Sequence, residues 1–446
     1  MLYACSARCW SIPTFWSTIV IVPGNCPGRM TRLLYDAFRT GGPALALVAS
    51  NFIRAASQWA LVWFVAISGG AEVVGSYSLA LAVATPIFIV FELSLRNVFV
   101  TIVPTPPFAT FLRIRFVTSA LAVAGLYLAI QLEYAPMGVL VVVGLIKAVD
   151  SFADLAYAPL QKSAHLTFIA WTSLLNSAVS LILATVIFGL SGDLVLALCG
   201  SLFGSILVTG IVYLRARTTN VLSGAGLTRA GVWAVVRAGV PSGLAYASVS
   251  VLTYLPVYFL SADQPAGQVG VFAVLAYFVV FANLFYASVQ QATLHNFVNA
   301  FASWGSAGLV RYTGRIGGPL MAVGAIAGIT TYFFGAEFIV AVFGAQFSVP
   351  QSVILPIAVS IFVLPLVYVS GVVLLVRNLY PVQLATGVIT LVAVTTYGLT
   401  FDTFTIESAA LLVLGGTCVR ASLGIATALW SFRKRETRNV DEIEVI

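Results

Sequence analysis

Residues 167–217 read TFIAWTSLLNSAVSLILATVIFGL, SGD, LVLALCGSLFGSILVTGIVYL and RAR, two apolar runs with an acidic turn between them and a basic end. A helix needs about 20 apolar residues to cross a hydrocarbon core of roughly 30 Å. Both runs meet that length without interruption, whereas the strands of a membrane barrel alternate apolar and polar residues over about 10 positions. The stretch therefore predicts two transmembrane α-helices joined by a short turn.

The rest of the chain has the same character. Of its 446 residues, 60% are hydrophobic and only 8% are charged, and the mean hydropathy is +1.02. A soluble protein carries about 25% charged residues, so this chain cannot build an aqueous surface. Spanning segments must satisfy their backbone groups internally, which favours helices. We therefore predict an all-α, polytopic membrane protein, and no nucleic-acid partner in spite of a net charge of +7.

Twelve apolar runs can be counted, which predicts about 12 transmembrane helices. They lie near residues 43–67, 74–96, 116–132, 136–160, 167–190, 193–214, 238–260, 267–294, 316–335, 350–376, 381–401 and 406–431.

The loops between these runs alternate in charge. The basic set contains Arg32, Arg39, Arg113, Arg115, Lys162, Arg215, Arg217, Arg229, Arg237, Arg311, Arg315, Arg377, Arg433, Lys434, Arg435 and Arg438. The alternate set has no Lys or Arg and contains Glu72, Glu133, Asp193, Asp263, Glu337, Asp402 and Glu407. Basic loops are retained in the cytoplasm, so we expect the first set, and both termini, to be cytoplasmic.

Two similar halves are indicated by the openings of corresponding runs. Arg39-Thr40-Gly41-Gly42-Pro43 opens run one and Arg237-Ala238-Gly239-Val240-Pro241 opens run seven. Val74-Gly75-Ser76-Tyr77 opens run two and Val269-Gly270-Val271-Phe272 opens run eight. Six helices separate the matches, so the halves share one topology and a cavity is expected between them. Coincidence between apolar sequences of low diversity is the alternative.

These features predict the domain organisation. Two six-helix lobes are expected over residues 30–215 and 237–432, with a cytoplasmic linker over 216–236 and a cytoplasmic tail over 433–446. The linker is expected to hold a short interfacial helix around Trp233. Residues 1–29 are a doubtful extension, because Pro23-Gly24-Asn25-Cys26-Pro27-Gly28 breaks any helix, and Met30 is the expected natural start.

Ionisable side chains within the spans are the functional candidates, because they are costly in hydrocarbon. Asn51, Arg54 and Gln58 form one face of helix one, and Lys147, Asp150 and Asp154 form one face of helix four. Amides in the second half suit ligands rich in hydroxyl groups. We predict substrate binding by Arg54, Asn51, Gln58, Lys147, Arg420, Asn283 and Gln290, and proton or ion coupling by Glu92, Asp150 and Asp154.

Structural pairing is the alternative for several of these residues. Lys147 could neutralise Asp150, and Glu92 could neutralise Arg96 four residues later. Arg54 has no acidic residue on its own helix face, and its planar fork matches a phosphate group. We therefore expect it to bind the diphosphate of a substrate, with a pair to Asp150 or Asp154 as the alternative. Asn283 and Gln290 could equally serve as contacts between helices.

A resemblance to a known family is carried by Asn51-Phe52-Ile53-Arg54-Ala55-Ala56-Ser57-Gln58-Trp59, Glu72-Val73-Val74-Gly75-Ser76-Tyr77, Pro86-Ile87-Phe88, Leu95-Arg96 and Asp154-Leu155-Ala156-Tyr157-Ala158-Pro159-Leu160-Gln161-Lys162. These segments resemble O-antigen and capsular polysaccharide flippases of the multidrug/oligosaccharidyl-lipid/polysaccharide exporter superfamily. The second half is similar in topology only. The resemblance implies a V of two lobes in a bacterial inner membrane. It also implies an undecaprenyl-diphosphate-linked oligosaccharide as substrate, and polysaccharide assembly proteins as candidate partners.

The sequence leaves two alternative functions to compare with the flippase. A multidrug exporter of the same superfamily would share the fold and differ in substrate. A polysaccharide polymerase or ligase would need a sizeable outside loop with catalytic residues, and the loops here are short. No nucleotide-binding, hydrolase or metal-ligand spacing is found, so we predict a transporter without catalytic residues, metal or cofactor.

The alternating loop charge predicts a labelling pattern. Single cysteines placed at positions 193 and 263 should react with a membrane-impermeant thiol reagent in intact cells, because the positive-inside rule places these loops outside. Cysteines at positions 225 and 311 should react only after the cells are permeabilised. Labelling of position 225 in intact cells would overturn the topology.

Overall fold

The computed structural model describes residues 29–101, 106–131, 136–163, 165–217, 229–377 and 379–433. In these ranges the chain forms eleven α-helices and one short 3-10 helix, and no strand. The helices are α1 Arg29–Glu92, α2 Leu95–Thr101, α3 Phe108–Gln131, α4 Met137–Lys162, α5 Leu166–Ser191, α6 Leu194–Arg217, α7 Arg229–Asp263, α8 Ala266–Phe343, α9 Gln351–Val376, α10 Tyr380–Gly398 and α11 Ile406–Arg433. The predicted all-α, polytopic fold class is confirmed.

The chain divides into two compact units, residues 1–42 and 43–446. The first contains the beginning of α1, and every contact given below belongs to the second. Residues 1–28, 218–228 and 434–446 lie outside the described residues, and so do the expected start-site extension, most of the predicted linker and the tail. The predicted lobe boundaries stay a prediction.

Ten stretches of the described helices are long and apolar enough to cross a membrane, against twelve predicted runs. Runs one and two form the single helix α1, which turns sharply at Gly70 (φ 80°, ψ −179°). Runs eight and nine both lie in α8, which is broken at Trp304 and Gly305, and they are still counted as two of the ten stretches. The run over 136–160 forms α4, which is not among the ten stretches because it carries the three charged residues Lys147, Asp150 and Asp154 near its middle.

The region around Trp233 differs from the prediction. Instead of a separate interfacial helix, it forms the first part of α7, which continues from Arg229 through Pro241 to Asp263. Trp233 is 65% exposed. A proline within a helix removes one backbone hydrogen bond but need not end the helix when neighbouring helices support it.

One close approach between the two halves of the chain joins α1 to α8. A Cβ atom at Gly75 would lie 1.7 Å from the carbonyl oxygen of Ala266, and one at Gly270 would lie 1.9 Å from that of Ala71. On each helix a small residue lies four positions before the glycine, the spacing that lets helix backbones touch in membranes. Gly75 and Gly270 are also the matched positions of the two sequence halves.

A second junction lies where α1 ends. Leu93 and Ser94 have positive φ angles of 50° and 46°, which is unusual for residues other than glycine and redirects the chain into α2. Two glycines of α7 pack on this turn. A Cβ atom at Gly239 would lie 2.7 Å from the Leu93 carbonyl oxygen, and one at Gly243 would lie 2.9 Å from the Leu93 Cα atom. The two halves therefore touch at Gly75 and again just beyond Glu92.

The α1–α8 contact predicts a difference between two glycines of one helix. Gly270→Ala should lower the melting temperature of the purified protein by several degrees, because its methyl group has no space beside Ala71. Gly267→Ala is the matched control, since nothing lies within 4 Å of its added Cβ atom. Alanine is intrinsically better than glycine in a helix by about 1 kcal/mol, so propensity alone gives the opposite result. Equal melting temperatures for the two variants would contradict the close contact.

Candidate functional site

A cavity of about 770 Å³ lies between the helices and is lined by residues of α1, α2, α4 to α9 and α11. Its lining contains five charged side chains, three basic and two acidic: Arg96, Lys147, Asp150, Asp154 and Arg420. Because charged groups are excluded from lipid, their collection in one cavity is the feature that points to a functional site.

Most of the residues predicted from the sequence meet in this cavity. Gln58, Lys147, Asp150, Asp154, Asn283 and Arg420 line it. Gln290 lies apart from it, in a small cleft with Tyr286 and Thr293. Glu92 is half-buried and is not part of the lining. The side chains of Asn51 and Arg54 lie outside what the structure describes, so their predicted role in substrate binding stays a prediction.

Arg96 is held by three contacts with residues of α4. Its Nη1 atom lies 3.1 Å from Oδ1 of Asp154, and its Nε atom donates a hydrogen bond of 2.7 Å to Oε1 of Gln161. Its guanidinium group also lies over the ring of Tyr157, 5.5 Å from the centroid. Arg96 therefore ties α2 to the end of α4.

This arrangement differs from the alternative in which Glu92 neutralises Arg96. Residues four apart face each other only on one continuous helix. The turn at Leu93 and Ser94 separates α1 from α2, so the helical register is lost between Glu92 and Arg96. Arg96 instead reaches Asp154 on another helix.

The alternative pair of Lys147 and Asp150 is not formed either. Among the described residues, the salt bridge in this region joins Arg96 to Asp154 and does not involve Lys147. Lys147 lines the cavity without forming such a pair to a described carboxylate.

Arg115 is a buried charge that the sequence analysis placed in a loop. Helix α3 begins at Phe108, eight residues before the predicted run, and Arg115 lies inside it with 1% exposure. Its Nε and Nη2 atoms have no hydrogen-bond partner among the described residues. Glu92 and Asp154 lie close enough to act on its charge. In the sequence, Arg113 and Arg115 indicate a basic loop. The packing of the helices shows that Arg115 is enclosed.

Arg420 is the charged residue that the second half of the chain contributes to the cavity lining. It lines the cavity from α11, is partly buried, and forms no salt bridge within the described ranges. Beside it, the Tyr368 hydroxyl donates a hydrogen bond of 3.1 Å to Oδ1 of Asn283. The Asn283 amide nitrogen in turn donates to the Val279 carbonyl at 3.0 Å. The C-terminal half therefore presents an uncompensated guanidinium group next to a hydrogen-bonded amide and phenol.

Several lining residues were not among the predicted site residues. They are the tyrosines Tyr77, Tyr157, Tyr254 and Tyr277 and a group of small polar residues on α5 and α6, namely Ser173, Asn176, Ser177, Ser180, Ser201 and Ser205. Their helical spacing could have identified the polar residues of α5 and α6, since residues three and four apart share one face of a helix.

No family model matches the chain. The capsular polysaccharide biosynthesis protein CapF of Staphylococcus aureus is 23% identical to it over 253 residues, which are 56% of this chain and 63% of CapF. The match thus spans less than two thirds of that relative.

Solved structures give a broader likeness. An inward-facing multidrug resistance MATE family transporter of the MOP superfamily superposes with a TM-score of 0.63 at 12% identity, covering 87% of this chain and 98% of that one. A MOP superfamily transporter from Pyrococcus furiosus, described as having a binding pocket of reverse polarity, gives a TM-score of 0.57 at 12% identity, covering 88% and 95%. The chain has the fold of MOP superfamily transporters. At such identities the likeness concerns the fold alone.

The salt bridge between Arg96 and Asp154 predicts coupled effects on stability. Arg96→Gln and Asp154→Asn should each lower the melting temperature, because each leaves one charge without its partner. The double variant should be no less stable than the worse single variant, since contacting residues couple by roughly 0.5–3 kcal/mol. Arg113→Gln, at an exposed arginine of α3, is the control and should have little effect. Strictly additive losses would contradict the pairing.

Proposed function

We propose that this chain is a membrane transporter of flippase type, which moves a polyprenyl-diphosphate-linked oligosaccharide from the cytoplasmic to the outer leaflet. The observation that carries the proposal is Arg420, a cavity-lining guanidinium group with no salt bridge among the described residues. An arginine at membrane depth costs several kcal/mol unless an anion or water accompanies it. A diphosphate would compensate that charge through two parallel hydrogen bonds.

The other charges of the lining support an anionic ligand. Asp154 is occupied by Arg96, so that pair contributes little net charge. Lys147 adds a second cation that has no salt bridge to a described carboxylate. Asp150 also lines the cavity, and its negative charge reduces the net positive charge of the lining. The cavity thus offers more positive than negative charge to whatever enters it.

The comparisons are consistent with two substrate classes. CapF is a capsular polysaccharide biosynthesis protein, which favours a saccharide lipid. The Pyrococcus furiosus transporter shows that a pocket of reversed polarity occurs on this fold. The MATE neighbour is a multidrug resistance transporter, so multidrug export is the second candidate. We favour the flippase, because the lining carries three basic and two acidic side chains, and an excess of positive charge suits an anionic ligand better than an organic cation.

The three residues predicted to couple protons or ions differ in their positions relative to the cavity. Asp150 lines the cavity and keeps that role in our proposal. Asp154 can release a proton or ion only if its contact with Arg96 changes during transport. Glu92 lies outside the lining, so we propose for it a coupling role without direct contact with substrate.

The proposal predicts a graded effect of Arg420 on flipping. In proteoliposomes containing a fluorescent polyprenyl-diphosphate-linked oligosaccharide, Arg420→Gln should reduce the flipping rate per molecule by about tenfold or more, since hydrogen bonds to charged groups contribute roughly 1.5–3 kcal/mol each. Arg420→Lys should fall in between, because lysine keeps the charge without the bidentate fork.

Arg311→Gln is the matched control for this experiment, because Arg311 is exposed on α8 and outside the cavity lining. Uptake of a fluorescent organic cation by the same vesicles tests the multidrug alternative. Full flipping by Arg420→Gln, or efficient cation transport with no flipping by the wild type, would refute the proposed function.

A further inference from the structure

One wall of the cavity is built from small polar side chains. On α5 these side chains recur three and four residues apart and so share a face, and on α6 two more lie four apart. We call this the hydroxyl wall; it consists of Ser173, Asn176, Ser177, Ser180, Ser201 and Ser205. It carries no charge, unlike the α4 and α11 sides of the same cavity.

Part of the hydroxyl wall has a structural role. The Ser201 hydroxyl donates to the Ser180 carbonyl at 3.0 Å. The Ser180 hydroxyl lies 3.4 Å from the Ser201 carbonyl and 3.3 Å from the Ser205 hydroxyl. These reciprocal contacts join α5 to α6 and satisfy the groups that form them.

Two other residues of the hydroxyl wall carry buried polar atoms that no described residue satisfies. Oδ1 of Asn176 and Oγ of Ser177 have no hydrogen-bond partner within the described residues. Ser177 is 7% exposed, yet both residues belong to the cavity lining. A buried polar atom without a partner disfavours folding and calls for an explanation such as an unseen ligand. Both residues line the same cavity, so one ligand bound there could satisfy both.

We infer that Asn176 and Ser177 form a saccharide subsite, which binds hydroxyl groups of the sugar while the diphosphate is held elsewhere in the cavity. The inference rests on the proposed function and adds to it the residues that bind the sugar. The Asn176 oxygen can only accept, so its ligand must bring an O–H or N–H donor. The Ser177 hydroxyl can donate or accept, as sugar hydroxyls also can. A lipid tail offers no such donor, and an uncharged wall gives an organic cation no counter-ion.

The first arm of the test measures stability. If Ser177 serves a ligand, Ser177→Ala should melt at the same temperature as the unliganded wild type or slightly higher, because it removes a buried hydroxyl group without a partner. Ser201→Ala should melt at a lower temperature, because it breaks a contact between α5 and α6. A marked loss of stability in Ser177→Ala would assign Ser177 a structural role and overturn the inference.

The second arm measures binding of two probes to the purified protein. One is a polyprenyl diphosphate, and the other is the same lipid carrying N-acetylglucosamine. The wild type should bind the glycosylated probe more tightly. The Asn176→Ala/Ser177→Ala variant should lose about tenfold of that preference, the size expected for two ordinary hydrogen bonds, while its affinity for the bare diphosphate stays unchanged. Ser177→Ala alone should lose part of the preference and serves if the double variant does not fold.

Thr185→Ala is the matched control on α5, because the Thr185 hydroxyl donates to the carbonyl of Leu181 in its own helix and the residue lies outside the lining. It should keep the wild-type preference. If the wild type binds both probes equally, or the double variant keeps the full preference, the subsite is wrong although diphosphate binding stands. If the wild type binds neither probe, the proposed function fails and the subsite falls with it.

Discussion

Charged side chains cannot face hydrocarbon, and the arrangement of this bundle depends on that constraint. Five charges of the lining lie around one cavity, while α5, α6 and α9 present apolar surface elsewhere. The salt bridge of Arg96 with Asp154 neutralises one pair of these charges and joins two helices. Arg420 has no such partner among the described residues, so this guanidinium group of the lining calls for an anionic ligand. The cavity is thus both a consequence of solvation and the reason for proposing transport.

Close backbone contacts determine how the walls of the cavity meet. Gly75 and Gly270 let α1 and α8 touch, and Gly239 with Gly243 lets α7 pack on the turn at Leu93. The two contacts lie at opposite ends of the second part of α1, and cavity residues such as Tyr77 and Leu81 lie between them in the sequence. The absence of side chains at both places makes these contacts sensitive to substitution by even a methyl group.

The proposed division of labour within the cavity has a simple chemical basis. A guanidinium group is suited to a diphosphate, whereas neutral amide and hydroxyl groups are suited to sugar hydroxyls. In this chain the uncompensated guanidinium group is contributed by α11 and the unsatisfied neutral groups by α5. A lipid-linked saccharide carries both kinds of group in one molecule, so a single substrate could engage both halves of the chain. An apolar drug could engage neither fully.

The sequence by itself determined that the protein is an all-α membrane bundle, because apolar length and low charge leave no other way to satisfy the backbone. Helical spacing also placed Lys147, Asp150 and Asp154 on one face, and all three line the cavity. Only the tertiary structure decided that Arg96 pairs with Asp154 and that Arg115 is enclosed. It also decided that Gln290 lies apart from the cavity and that Asn176 and Ser177 lack partners in the described chain. The physical reason is that spacing describes one helix at a time, whereas salt bridges, burial and unsatisfied groups depend on which helices pack together.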